Sequence, residues 1–143
     1  MQHVTRFELY GLAVLLLVCA LATWRGGMTE RRITAVIAVA WVASLVLDDD
    51  ASRQVQWTLF GIDVVLAVWL VAEAIFGRRL WIAIAAGAQL MIVLTHVAFA
   101  ANRHIVQEAF FSAYYVWSYV VLLAVVLGCL TTRRDSLSQS SQG

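Results

Sequence analysis

Five apolar stretches, joined by connections of only three to eight residues, constrain this chain to helices in a lipid bilayer. They run from Phe7 to Trp24, Ile33 to Leu47, Val55 to Phe76, Leu80 to Ala101 and Ala109 to Leu130. About 20 apolar residues rising ~1.5 Å each cross a typical hydrocarbon core, and a helix satisfies its own backbone there without water. Composition agrees: the chain is 62% hydrophobic and 13% charged, which leaves too little polar surface to cover a soluble globule. The expected fold is an all-α integral membrane protein, a five-transmembrane-helix bundle over residues 1–131. Its spans are placed at about 7–24, 30–48, 55–76, 80–101 and 109–130, and a polar tail over 132–143 is expected to be disordered.

The second span is the shortest, since Ile33 to Leu47 covers only about 22 Å of helix. Starting it near Thr29, a suitable N-cap, lets Arg31 and Arg32 snorkel to the headgroups while Asp48 marks the far interface.

Arginine placement sets the orientation. With five spans, one face collects Arg25, Arg31, Arg32, Arg78, Arg79, Arg133 and Arg134, and the other carries Arg6, Arg53 and Arg103 with the acidic run Asp48, Asp49 and Asp50. Basic residues accumulate in short cytoplasmic loops, so the amino terminus is expected outside and the carboxyl terminus in the cytoplasm. A rival reading treats residues 1–22 as a cleaved signal peptide ending at Ala20-Leu21-Ala22. It inverts every loop against the charge rule and is set aside. Cys19 follows bulky Val18 and reads as a buried apolar cysteine, not a lipidation site. Cys129 falls in the same inner half of the membrane, facing a reducing compartment, so no disulfide is expected. All ten basic residues are arginine, which with abundant Ala, Val and Leu points to a GC-rich bacterial genome and hence to a multi-pass inner-membrane protein. No basic cluster exceeds an Arg pair, so nucleic acid is not an expected partner.

Short connections make sequential helices antiparallel neighbours. The chain has no proline, so interrupted helices of the transporter kind are not expected. Ala40 with Ser44, and Ala83 with Gly87, form small-xxx-small pairs suited to close helix contact, and Gly61 is a further close-packing point.

The residues most costly to place in lipid are Asp63, Glu73, Gln89 and His96. The third and fourth spans form a hairpin about Gly77 and Arg78, which sets Asp63 about 22 Å and His96 about 28 Å above the turn. The two can therefore meet. Gln89 and His96 lie about 20° apart around their helix, whereas Asp63 and Glu73 differ by about 80°. All four could line one interhelical seam, with Glu73 near the cytoplasm and Asp63 and His96 in the outer half. One reading is a proton or ion relay, since carboxylate and imidazole exchange protons. The other is a structural Asp63-His96 hydrogen bond, with Glu73 snorkelling or pairing to Arg78 or Arg79, and this one is favoured because the gaps along the stripe do not define a path.

The run Asp48 to Asp50, with His3 or His104, is weighed as a divalent-cation site, but three consecutive carboxylates do not converge on one ion. No metal and no cofactor is expected, haem included, because His96 and His104 form no recognised ligand arrangement. Tyr114, Tyr115, Trp117 and Tyr119, with Trp24, Trp57 and Trp81, read as an interfacial aromatic belt, while Trp41 and Trp69 lie deeper. The expected role is non-enzymatic: an intramembrane interaction or accessory subunit whose partners are the bilayer and either itself or another membrane protein. The alternatives carried forward are a proton- or ion-conducting transporter or channel subunit and a holin-like pore former. A lipid-acting enzyme ranks last, because no nucleophile-base pair or metal motif is apparent.

Overall fold

The computed structural model describes residues 6–47, 57–101 and 107–140, with side-chain environments over 9–47, 57–101 and 109–131. The acidic run Asp48 to Asp50, His3 and His104 lie outside the described residues. Within them the chain forms five α-helices and no strand: α1 Arg6–Arg25, α2 Met28–Leu47, α3 Trp57–Gly77, α4 Leu80–Ala101 and α5 Gln107–Ser140.

Two turns are tight for stated reasons. Between α1 and α2, the Gly26 amide donates to the Ala22 carbonyl at 2.9 Å, and the Arg31 amide to the Gly27 carbonyl at 3.1 Å. The helix is thus entered at Gly27, two residues earlier than the expected cap at Thr29. Any Cβ on Gly26 would sit 2.5 Å from the Ala22 carbonyl oxygen and 2.9 Å from Glu30 Cβ, so only glycine fits. Between α3 and α4 the left-handed residue is Arg78, at φ 51°, and Gly77 stays helical. α5 runs on to Ser140, through the segment expected to be disordered. The physical reason is that no glycine or proline between Cys129 and Ser140 ends it.

The helices close into a ring, α1 to α2 to α3 to α4 to α5 and back to α1, with a further contact between α2 and α5. Packing is most extensive where α4 meets α5 and where α4 meets α3. Ile33 and Ile37 from α2, Leu70 from α3, Ile82 from α4, and Leu122, Val125 and Cys129 from α5 make the fully buried centre.

The distribution of side chains is that of a protein solvated by lipid. Leu17, Val39, Val65, Val68, Phe76 and Leu80 lie outside, while Glu30, Thr34, Asp63, Gln89, His96 and Ser118 are buried. In water this arrangement would forfeit the apolar burial that folds a globule. α3, α4 and the Ala109–Thr131 part of α5 are long and apolar enough to cross a membrane. α1 contributes a shorter apolar segment, Leu9–Arg25, and α2 carries Glu30, Arg31 and Arg32 in its first turns.

A buried Asp-Gln-His cluster as the candidate functional site

On α3 the buried positions Asp63, Leu66, Ala67 and Leu70 follow helical spacing and form one stripe. On α4 the facing stripe holds Ile82, Ala85, Ala86, Gln89, Ile92 and His96. Measured up from the shared turn at ~1.5 Å per residue, Gln89 lies at about 16 Å, Asp63 at about 22 Å and His96 at about 28 Å. Asp63 therefore falls midway between two side chains on the same face of the opposite helix.

Each carboxylate oxygen takes one of them. Gln89 Nε2 donates to Asp63 Oδ1 at 2.8 Å, with the Asp63 carbonyl oxygen at 3.4 Å. His96 Nε2 stands 3.0 Å from Asp63 Oδ2. All three side chains are buried, at 5%, 2% and 6% exposure for Asp63, Gln89 and His96.

Aromatic rings pack around the imidazole. Phe60, one turn before Asp63 on α3, packs edge-on at 5.9 Å between centroids. From α5, Phe110 and Tyr114 do the same at 5.2 and 5.7 Å, and Phe99 leans on Phe110 at 4.8 Å. His96 thus sits where α3, α4 and α5 meet. Tyr114, read from sequence as part of an interfacial belt, is half-buried and faces this histidine. Among the described residues, no three His, Cys, Asp or Glu side chains converge to hold a metal ion.

Glu73 belongs elsewhere. It lies ten residues from Asp63, about 15 Å along α3, and accepts a hydrogen bond from Arg32 of α2 at 2.6 Å. The expected partners Arg78 and Arg79 are not the ones it takes. Arg79 instead pairs with Glu30, whose side chain is 1% exposed. The reason is tertiary: the Gly26-Gly27 link folds the start of α2 beside the end of α3, bringing Glu30 and Arg32 to the α3–α4 turn. Between this ionic centre and the Asp63 cluster stand Leu66, Leu70, Ile82 and Ala85, all 5% exposed or less. The four polar positions make two separate centres.

Sequence reading missed Glu30, Phe60 and Phe110. Glu30 carried a signal, an acidic residue preceded by a Gly-Gly hinge and followed by an Arg pair. Phe60 is also readable in hindsight as the i−3 neighbour of Asp63. Trp81, expected at the membrane interface, is 6% exposed, with its ring 2.6 Å from where a Cβ on Gly128 would be. Gly128 admits the indole because it has no side chain, and the Trp81 Nε1 hydrogen is left without a partner among the described residues. Trp24 and Trp57 are exposed, as an interfacial position requires.

The small-residue pairs divide. Ala40 and Ser44 are half-buried, whereas Ala83 and Gly87 face outward and a Cβ on Gly87 would meet nothing. Gly61 is open in the same way. Both cysteines are free thiols. No protein-family model, curated protein or solved structure matches this chain.

Proposed function

We propose that this chain is a five-span protein of the bacterial inner membrane, amino terminus outside and carboxyl terminus cytoplasmic, that acts as a non-enzymatic interaction or accessory subunit. The observation that carries this reading is the direction of its polar groups. Asp63, Gln89 and His96 satisfy one another, as do Arg32 with Glu73 and Arg79 with Glu30. The described outer surface is mainly apolar, and the connections are too short to form a soluble domain. Recognition then falls to lateral helix packing, for which outward Ala83 and Gly87 allow close approach.

Support for five spans comes from length and packing. α1 and α2 have 20 residues each, about 30 Å, and they close the same ring as α3, α4 and α5. The arginine asymmetry supports the orientation. A reporter fused after Leu47 is expected to read outside the cytoplasm; a cytoplasmic signal would overturn the topology. Cross-linking in native membranes is expected to give a defined adduct with itself or a second membrane protein. Monomer alone in mild detergent, with no adduct, would reject the interaction role.

A second reading, proton or ion conduction, is favoured by the 3.0 Å contact between His96 and Asp63. Against it stands the apolar layer of Leu66, Leu70, Ile82 and Ala85 between that contact and Glu73. Potential-driven flux in reconstituted vesicles tests it. Flux that is absent, or unchanged by Asp63→Asn and His96→Ala, removes conduction.

A further inference from the structure

We infer that Asp63 and His96 form a proton-binding site that is loaded from one side and closed to the other. This goes beyond both readings above: the pair holds a proton and gives it no path through the molecule. Among the described residues, no arginine or other cation but His96 faces Asp63: α5 from Ala109 to Thr131, α1 from Leu9 to Trp24 and α2 from Ile33 to Leu47 carry no charged side chain at all. Arg32 and Arg79 are engaged with Glu73 and Glu30 at the other end of the hairpin. An ionised Asp63 beside a neutral His96 would leave one uncompensated charge at 5% exposure, a costly state in a low-dielectric interior. One added proton makes the pair neutral.

The geometry says where that proton goes. In the unloaded pair, His96 Nε2–H donates to Asp63 Oδ2 and Nδ1 carries a lone pair. The His96 side chain keeps 6% of its surface open. A proton added at Nδ1 gives an imidazolium held against a carboxylate. Transfer of the Nε2 proton to Oδ2 then gives a neutral acid hydrogen-bonded to a neutral ring, with no further proton gained or lost. Gln89 supports both forms, since its amide donates to Oδ1 whichever oxygen is protonated. Among the described residues, the other titratable side chain facing the imidazole from a packed element is Tyr114 of α5, which lies edge-on to it.

The site is one-sided because of its depth and its floor. Asp63 lies six residues from the start of α3 and His96 five from the end of α4, about 8–9 Å from that end of the hairpin. In the other direction Leu66, Leu70, Ile82 and Ala85 intervene before the next polar group.

Two measurements on the full chain in detergent or vesicles decide it. Difference proton titration of wild type against Asp63→Asn is expected to show one more proton bound by wild type. Infrared and ¹⁵N spectra of the unmodified protein are expected to show either a protonated carboxyl beside a neutral His96 or a carboxylate beside an imidazolium, so the outcome does not depend on the variant folding. A carboxylate beside a neutral ring throughout, with titration curves that coincide, would overturn the site. In vesicles, proton binding without potential-driven flux is the expected result, and flux abolished by Asp63→Asn would overturn its one-sidedness. Loss of binding and gain of flux are thus read separately.

Discussion

The two polar centres occupy opposite ends of the same α3–α4 hairpin and hold their charges in different ways. At the turn, Glu30 and Glu73 each meet a guanidinium whose own side chain is substantially exposed, 43% for Arg79 and 60% for Arg32. At the other end, Asp63 meets only an amide and an imidazole, both buried, behind aromatic rings. The turn centre is held by two guanidinium groups that reach water. Among the described residues the Asp63 centre has no guanidinium, and on the inference above its charge follows a single proton. One end is an anchor and the other is adjustable.

The largest expected effect tests whether the anchor bears on Glu30. Arg79→Ala takes a cation away from a carboxylate at 1% side-chain exposure and is expected to cost about 3–5 kcal/mol in denaturant or detergent unfolding. Glu30→Gln combined with Arg79→Met should recover most of that loss. Next comes the adjustable end. Asp63→Leu leaves Gln89 and His96 facing an alkyl chain and is expected to cost about 2 kcal/mol, whereas Asp63→Asn keeps a polar partner for each and should cost under ~1 kcal/mol. Equal losses for the two would mean that the negative charge itself holds the cluster, and would undo the contrast between the ends.

Smaller effects sharpen the turn end. Gly128→Ala puts a methyl 2.6 Å from the Trp81 ring, two residues beyond Arg79, and is expected to cost about 1–2 kcal/mol by forcing α4 and α5 apart. The intrinsic tryptophan emission should shift with it. Arg32→Ala is expected to cost no more than about 1 kcal/mol and to lose its effect at high salt, because that guanidinium is 60% exposed. A loss as large as that of Arg79→Ala would show that Glu73 is sealed in lipid, contrary to its 20% exposure.

The Asp63–His96 contact was legible in the sequence because one hairpin places it: two apolar runs, a three-residue turn and a fixed rise per residue leave little freedom in depth. The pairing of Gln89 with His96 on one face followed from their seven-residue spacing. Glu73 was misassigned because its partner comes from α2, and the packing of α2 against α3 is a contact that helical periodicity does not encode. Trp81 was misread for a related reason. Local hydropathy puts a tryptophan at a span end near the interface, and only the absence of a side chain at Gly128, some 47 positions later, turns it inward. The helical continuation of α5 to Ser140 shows a different limit: polarity predicts solvent, but it does not supply a stop.

The ring described above has its closing contact between α1 and α5, and α5 also touches α2 and α4. α5 is thus the helix against which α1, α2 and α4 all pack. Without it, His96 lacks the Phe110 and Tyr114 rings, and the core lacks Val121, Leu122, Val125 and Cys129. α5 is accordingly the keystone of the bundle: its removal would open the ring of helices and uncover the Asp63 cluster and the apolar centre together.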